Sequence, residues 1–228
     1  MYVWKCWRET RFFTIVFLII AAAVMPATAA VSAGTNFMEE FGRTAFESAL
    51  ALILIGMGLW LGVIGALHGF DEKAVQFLFT KPRRRASFVW IGWAVGCVEL
   101  LAVGLVNFFA GWLTLSLYSS HALISEVFGW HAIQDYTFFF VLSLLTYSIT
   151  YAFTAMLRNG VNGLGASMGC GVAYDLLVLA ARWRWNIQVP LAGERMGSLS
   201  PGISNLLWIA VALCFLLAAQ VVIERAEV

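Results

Sequence analysis

An all-α integral membrane protein of six transmembrane helices, with both termini in the cytoplasm, is the fold class this sequence predicts. Three observations carry that expectation. Of its 228 residues, 61% are hydrophobic and only 12% are charged, with a mean hydropathy of +0.84, which is far more apolar than a soluble domain needs to be. Six stretches, about 12–33, 44–67, 88–117, 138–157, 163–181 and 205–223, approach or exceed the roughly 20 predominantly apolar residues required to cross a hydrocarbon core. The cations around these stretches are unevenly divided. With the N-terminus inside, Lys5, Arg8, Arg11, Lys73, Lys81, Arg83, Arg84, Arg85, Arg158 and Arg225 are cytoplasmic, and only Arg43, Arg182, Arg184 and Arg195 are external. Cytoplasmic loops carry such an excess of Lys and Arg.

The first span, 12–33, follows Lys5, Arg8 and Arg11, and Trp4 and Trp7 suit a lead-in helix at the interface. The same pattern, with Ala27-Thr28-Ala29 behind it, also resembles a signal peptide with its cleavage site. Retention is preferred because Phe12 to Ala33 is long enough to cross; cleavage would leave five spans. In the second span, Gly58-x-x-x-Gly62 and Gly65-x-x-x-Gly69 place pairs of small residues on one helix face, as do Gly92-x-x-x-Gly96 in the third and Gly165-x-x-x-Gly169 in the fifth. Faces of this kind let helix backbones approach.

Between the second and third spans, residues 71–80 can form a short amphipathic helix. Ala74, Val75, Leu78 and Phe79 share one face, and Glu72, Lys73, Gln76 and Thr80 share the other. Pro82 disfavours helical geometry at Lys81, so a basic turn, Lys81 to Arg85, follows. The third span is longer than one crossing requires, so it is either tilted or continues as an interfacial helix past Trp112.

The segment from Tyr118 to Thr137 has no Lys or Arg and is expected outside. Trp4, Trp7, Trp90 and Trp93 are read as inner interface anchors, and Trp112, Trp183, Trp185 and Trp208 as outer ones. Arg182-Trp-Arg-Trp185 suits anchoring after the fifth span, where Arg heads reach water and indoles sit among headgroups. No internal repeat or long linker divides the chain, so residues 1–228 are read as a single transmembrane domain.

The run Phe77-Leu-Phe-Thr-Lys-Pro-Arg-Arg-Arg-Ala-Ser-Phe88, with Gly92 four residues on, resembles the segment between the second and third spans of ABC-2-type transporter permeases. Lys81, Pro82, Arg85, Phe88 and Gly92 match that family's pattern. Trp93 stands where the family often has Lys. Trp4-Lys-Cys-Trp-Arg-Glu-Thr-Arg11 is similar to its lead-in helix. The layout agrees loosely over most of the chain, and about a dozen residues are specific.

The resemblance implies a permease subunit that exports or flips a substrate across the cytoplasmic (inner) membrane. It also implies a second permease copy or paralogue as partner. Asp71, Glu72, Lys73, Gln76, Lys81, Pro82, Arg83, Arg84 and Arg85 would form the coupling element that contacts a separate ATPase. No G-x-x-x-x-G-K-[ST] loop is present to cradle phosphates, so ATP and Mg belong to that partner and this chain is expected to carry no cofactor. In ABC-2-type permeases the region between the fifth and sixth spans is external and can help gate the path, which makes 186–204 a candidate lid. A plainer reading of the basic run is a topogenic signal, or a patch drawn to anionic membrane lipids. A nucleic-acid partner is not expected, since one short cluster between spans makes a poor electrostatic track.

Glu99 in the third span and Asp175 in the fifth are candidates for a translocation path. An intramembrane carboxylate is costly and faces a bundle interior or a water cavity. The plainer reading of each is a protonated or hydrogen-bonded packing group, with Asn107, Ser or Thr as partner. Gly165-Ala-Ser167-Met-Gly169 matches a nucleophile pattern but lacks the strand-to-helix turn and a nearby His, so Ser167 is read as packing. His68, His121 and His131 do not point to haem ligation. Cys6, Cys97, Cys170 and Cys214 are scattered singly, with neither a disulfide framework nor metal spacing. No catalytic residue and no metal site are assigned. An enzyme ranks last, below an ion- or proton-coupled carrier and a non-transporting scaffold.

Overall fold

The structure of the protein, a computed structural model, describes residues 2–31, 37–69, 86–118, 124–125, 127–185 and 201–225. Six long helices account for nearly all of them: α1 (Tyr2–Val31), α2 (Phe37–Gly69), α3 (Ala86–Tyr118), α4 (Trp130–Leu157), α5 (Gly160–Trp185) and α6 (Pro201–Arg225). All six are long and apolar enough to cross a membrane, and no strand occurs among the described residues. A bilayer core offers backbone groups no water to bond, so a helix, which satisfies its own, is what such sequences form.

Each helix begins before the apolar stretch read from the sequence. α4 begins at Trp130 rather than near 138, and α1 at Tyr2 rather than at 12. The lead-in around Trp4 and Trp7 is therefore no separate element; it is the first two turns of α1. At α4 the extension draws in Gln134, Asp135 and Tyr136, polar residues that a helix accepts readily but a hydropathy reading excludes. α3 continues unbroken through Trp112 to Tyr118, about 50 Å at 1.5 Å per residue. Pro26 lies inside α1 and removes one donor to the preceding turn, which membrane helices tolerate.

Neighbouring contacts fix an up-and-down course. Phe13 packs on Trp60, with ring centroids 5.3 Å apart, and a Cβ on Gly56 would meet Phe17, so α1 and α2 are antiparallel. Cβ atoms built on Gly104 and Gly111 would meet Leu54 and Phe46, which makes α2 and α3 antiparallel as well. α4 is the central helix, packed against α2, α5 and α6 and touching α3. Its buried Ser143 and Ser148 and half-buried Thr146 donate to their own backbone, to Phe140, Leu144 and Leu142 at 2.7–2.9 Å. Small hydroxyls can thus sit inside an apolar bundle with their protons satisfied.

α4 and α5 join through a turn of two residues, Arg158 and Asn159. Arg158 takes the left-handed conformation (φ 51°) that ends α4. Asn159 caps α5, its Oδ1 accepting from the Asn162 backbone N–H at 3.1 Å. At the end where α1 passes to α2, Phe46, Phe108, Phe128 and Tyr136 form an aromatic cluster with centroids 5.0–6.4 Å apart. There the Tyr136 hydroxyl donates to Val127 O at 2.5 Å.

The glycine pairs divide into two kinds. A Cβ on Gly58 would lie 2.8 Å from Ser143 O, and one on Gly62 would lie 2.7 Å from Thr150 Cβ, so this pair lets α2 and α4 meet backbone to backbone. Around Gly165 and Gly169 there is open space. That pair points away from the bundle, on a helix that leaves Val161, Met168, Val172, Leu176, Leu177 and Trp183 uncovered by the chain.

Candidate functional site

The best-organised polar region lies at the end of the bundle where α2 stops and α3 starts. Tyr147 and Tyr151, one turn apart on α4, are both fully buried. They fill the face of α3 that Gly92 and Gly96 leave bare. The Tyr151 hydroxyl donates to Val89 O at 3.3 Å. The Tyr147 hydroxyl shares its proton between Gly92 O at 3.3 Å and Trp93 O at 3.2 Å. Each carbonyl keeps a second lone pair after its helical bond, so these bonds cost α3 nothing internally.

Two indoles tie the same corner to other helices. Trp93 Nε1–H donates to Ser148 Oγ at 2.9 Å, and Trp90 Nε1–H donates to Gln220 Oε1 at 2.8 Å. These tryptophans are half-buried fasteners among α3, α4 and α6, which corrects their reading as interface anchors. Trp208 is corrected likewise: it is buried against Tyr174, with centroids 6.3 Å apart. Trp4, Trp7, Trp112 and Trp183 are exposed, as anchors would be.

Glu99 sits on α3 beside this corner and is only 4% exposed. Its Oε1 lies 2.5 Å from Thr10 Oγ1 on α1, while its Oε2 is buried with no hydrogen-bond partner. A cavity lined by its partner Thr10 is on the scale of a single water molecule. Thr10, Gly92, Gly96, Tyr147, Cys6 and Glu9 are among the residues that line it. Asn107, expected as a partner for the carboxylates, instead ties α3 to α1 further along, its Nδ2 donating to Ala21 O at 3.4 Å.

Asp175 is not brought to this place. It lies half-buried on α5 beside Tyr174, the residue that meets Trp208 near the start of α6. Glu99 and Asp175 instead lie at a similar depth on two different helices: Gly96 of α3 lies against Tyr147 of α4, and Ser167 of α5 bonds Thr150 of α4. Ser167 is buried, donates to Leu164 O at 2.8 Å and accepts from Thr150 Oγ1 at 3.1 Å, the partners of a packing serine. Among the described residues, no His, Cys, Asp and Glu side chains gather as a metal would need.

Asp71, Glu72, Lys73, Gln76, Lys81, Pro82, Arg83, Arg84 and Arg85 lie outside the described residues. So does the 186–200 segment. What the structure does place is their attachment: residues 70–85 join Gly69 of α2 to Ala86 of α3, one turn from the Val89 carbonyl that Tyr151 holds. Thr10, Tyr147 and Tyr151 were missed in the sequence. Tyrosines spaced i, i+4 on a span, facing a Gly-x-x-x-Gly pair on another, were the available signal.

No family model matches the sequence, and no curated protein or solved structure matches it either.

Proposed function

We propose that the chain is the transmembrane permease subunit of an ATP-driven ABC-2-type transporter, an exporter that couples to a separate ATPase through residues 71–85. The observation that carries this reading is the Lys81-Pro82-x-x-Arg85-x-x-Phe88-x-x-x-Gly92 pattern on a chain of six membrane-length helices. The packing supports it mechanically. A loop that transmits force needs a stiff anchorage, and α3 next to this loop is clamped by Tyr147, Tyr151, Trp90 and Trp93.

Cation placement supports a cytoplasmic position for the same end and for both termini. Arg8, Arg11, Arg158 and Arg225 belong to the helix ends gathered there, and Arg182 and Arg184 to the opposite one. ATPase closure would then pull on α2 and α3 together and switch access across the cytoplasmic membrane. The uncovered face of α5, with Gly165 and Gly169 open, supports contact with a second permease copy or paralogue.

Copurification from native membranes tests the proposal. An ATP-binding cassette ATPase should accompany the wild-type chain and be lost when Lys81, Arg83, Arg84 and Arg85 are all changed to Ala. Transport by the purified chain alone, without ATP, would contradict it.

A second reading, a proton- or ion-coupled carrier, is favoured by one observation, the buried and half-satisfied carboxyl of Glu99. It requires activity that follows a proton gradient in liposomes free of any ATPase.

A further inference from the structure

We infer that Glu99 is a proton-binding site: its carboxyl is held neutral, donates from Oε1 to Thr10 Oγ1, and exchanges its proton through the water-sized cavity beside Thr10. This chemistry lies inside the bundle and holds whether or not the chain couples to an ATPase.

Hydrogen count points to the neutral form. A threonine hydroxyl owns one proton, yet Thr10 Oγ1 lies 3.1 Å from Cys6 O and 2.5 Å from Glu99 Oε1. The longer contact is the backward bond to the fourth preceding carbonyl that helical threonines make. If Thr10 spends its proton there, the 2.5 Å contact joins two bare oxygens unless Glu99 supplies a proton. A neutral carboxyl resolves the count, with Oε1–H donating to Thr10 and Thr10–H donating to Cys6 O.

Solvation points the same way. Thr10 donating to an ionised Glu99 would give a similar distance, but the negative charge would then spread to Oε2, which is buried and has no hydrogen-bond partner, the nearby Thr14 hydroxyl being engaged with Thr10 O at 3.3 Å. Charge without a partner inside an apolar bundle is strongly disfavoured. Among the described residues, the titratable groups around the site include no cation: Cys6 and Glu9 line the cavity from α1, Cys97 lies on α3, and Tyr147 and Tyr151 approach from α4. From α2 the cavity receives only Leu61 and Gly65. None of its described lining residues is Lys or Arg.

Release follows the same atoms. Thr10 lines the cavity, so it stands between the carboxyl and any water lodged there. The Glu99 proton passes to Thr10 Oγ1 as the Thr10 proton turns from Cys6 O to that water, leaving a carboxylate and a hydronium ion. Parting of α1 from α3 would widen the cavity and favour this step, which links protonation to the packing of those two helices.

Infrared spectroscopy of the full chain in lipid bilayers at neutral pH tests the site. The wild type should show the carbonyl stretch of a protonated carboxyl, and Glu99→Gln, which keeps the neutral shape, should fold with an unchanged helical circular dichroism signal and lose one such band. Thr10→Val should shift that band without removing it. Identical carboxyl bands in wild type and Glu99→Gln would overturn the inference, as would failure of Glu99→Gln to fold. A band unmoved in Thr10→Val would overturn the assignment of Thr10 as its acceptor.

Discussion

Tyr151 occupies the volume that Gly92 lacks, one of two such exchanges, with Tyr147 against Gly96, that let α3 and α4 approach. A Cβ on Gly92 would lie 2.6 Å from the Tyr151 hydroxyl oxygen and 3.6 Å from the next ring atom. Gly92→Ala should therefore destabilise the protein by about 1–3 kcal/mol through overpacking. Tyr151→Phe in the same chain should recover most of the loss, because it removes the one atom in conflict. Thermal unfolding in detergent of the two single variants and the double variant measures this. A double variant no more stable than Gly92→Ala would show that some other contact limits the approach. Sequence reading flagged Gly92 and Glu99 as residues that matter, yet neither named its partner. Tyr151 and Thr10 are ordinary members of apolar and amphipathic runs until the helices are placed side by side.

The helices themselves were legible at their centres and illegible at their ends. Apolar stretches report where hydrocarbon surrounds a helix, and they fall silent where the same helix emerges with Gln134 and Asp135 on α4 or Arg182 and Arg184 on α5. Gly-x-x-x-Gly spacing was visible in α2, α3 and α5, but spacing alone cannot say whether the bare face meets a backbone, a tyrosine or nothing. A Cβ on Gly58 would lie 2.8 Å from the α4 backbone, and one on Gly165 would meet nothing within 4 Å. Ala at position 58 should accordingly lower the unfolding temperature of the isolated chain, whereas Ala at 165 should leave it unchanged or raise it slightly, since Ala is the better helix former. Equal effects at the two sites would contradict the packing described.

For the molecule as a whole, the distribution of charge and the course of the bundle make a joint prediction about sidedness. Lys73 and Lys81 should react with a membrane-impermeant amine reagent only when the inner face is accessible, in inverted vesicles and not in intact cells. Arg8, Arg11, Arg158 and Arg225 share the end from which those lysines extend. Labelling of either lysine from outside intact cells would invert the bundle and detach the basic loop from any nucleotide-driven partner.

Composition and apolar run length were enough to establish six helices of membrane length, because hydrocarbon leaves a backbone no other way to satisfy its hydrogen bonds. Pairing between helices needed the folded chain. Lipid-facing and helix-facing side chains are equally apolar in such a protein, so no periodicity in the sequence announces that Thr10 meets Glu99 or which helix Tyr147 and Tyr151 pack against.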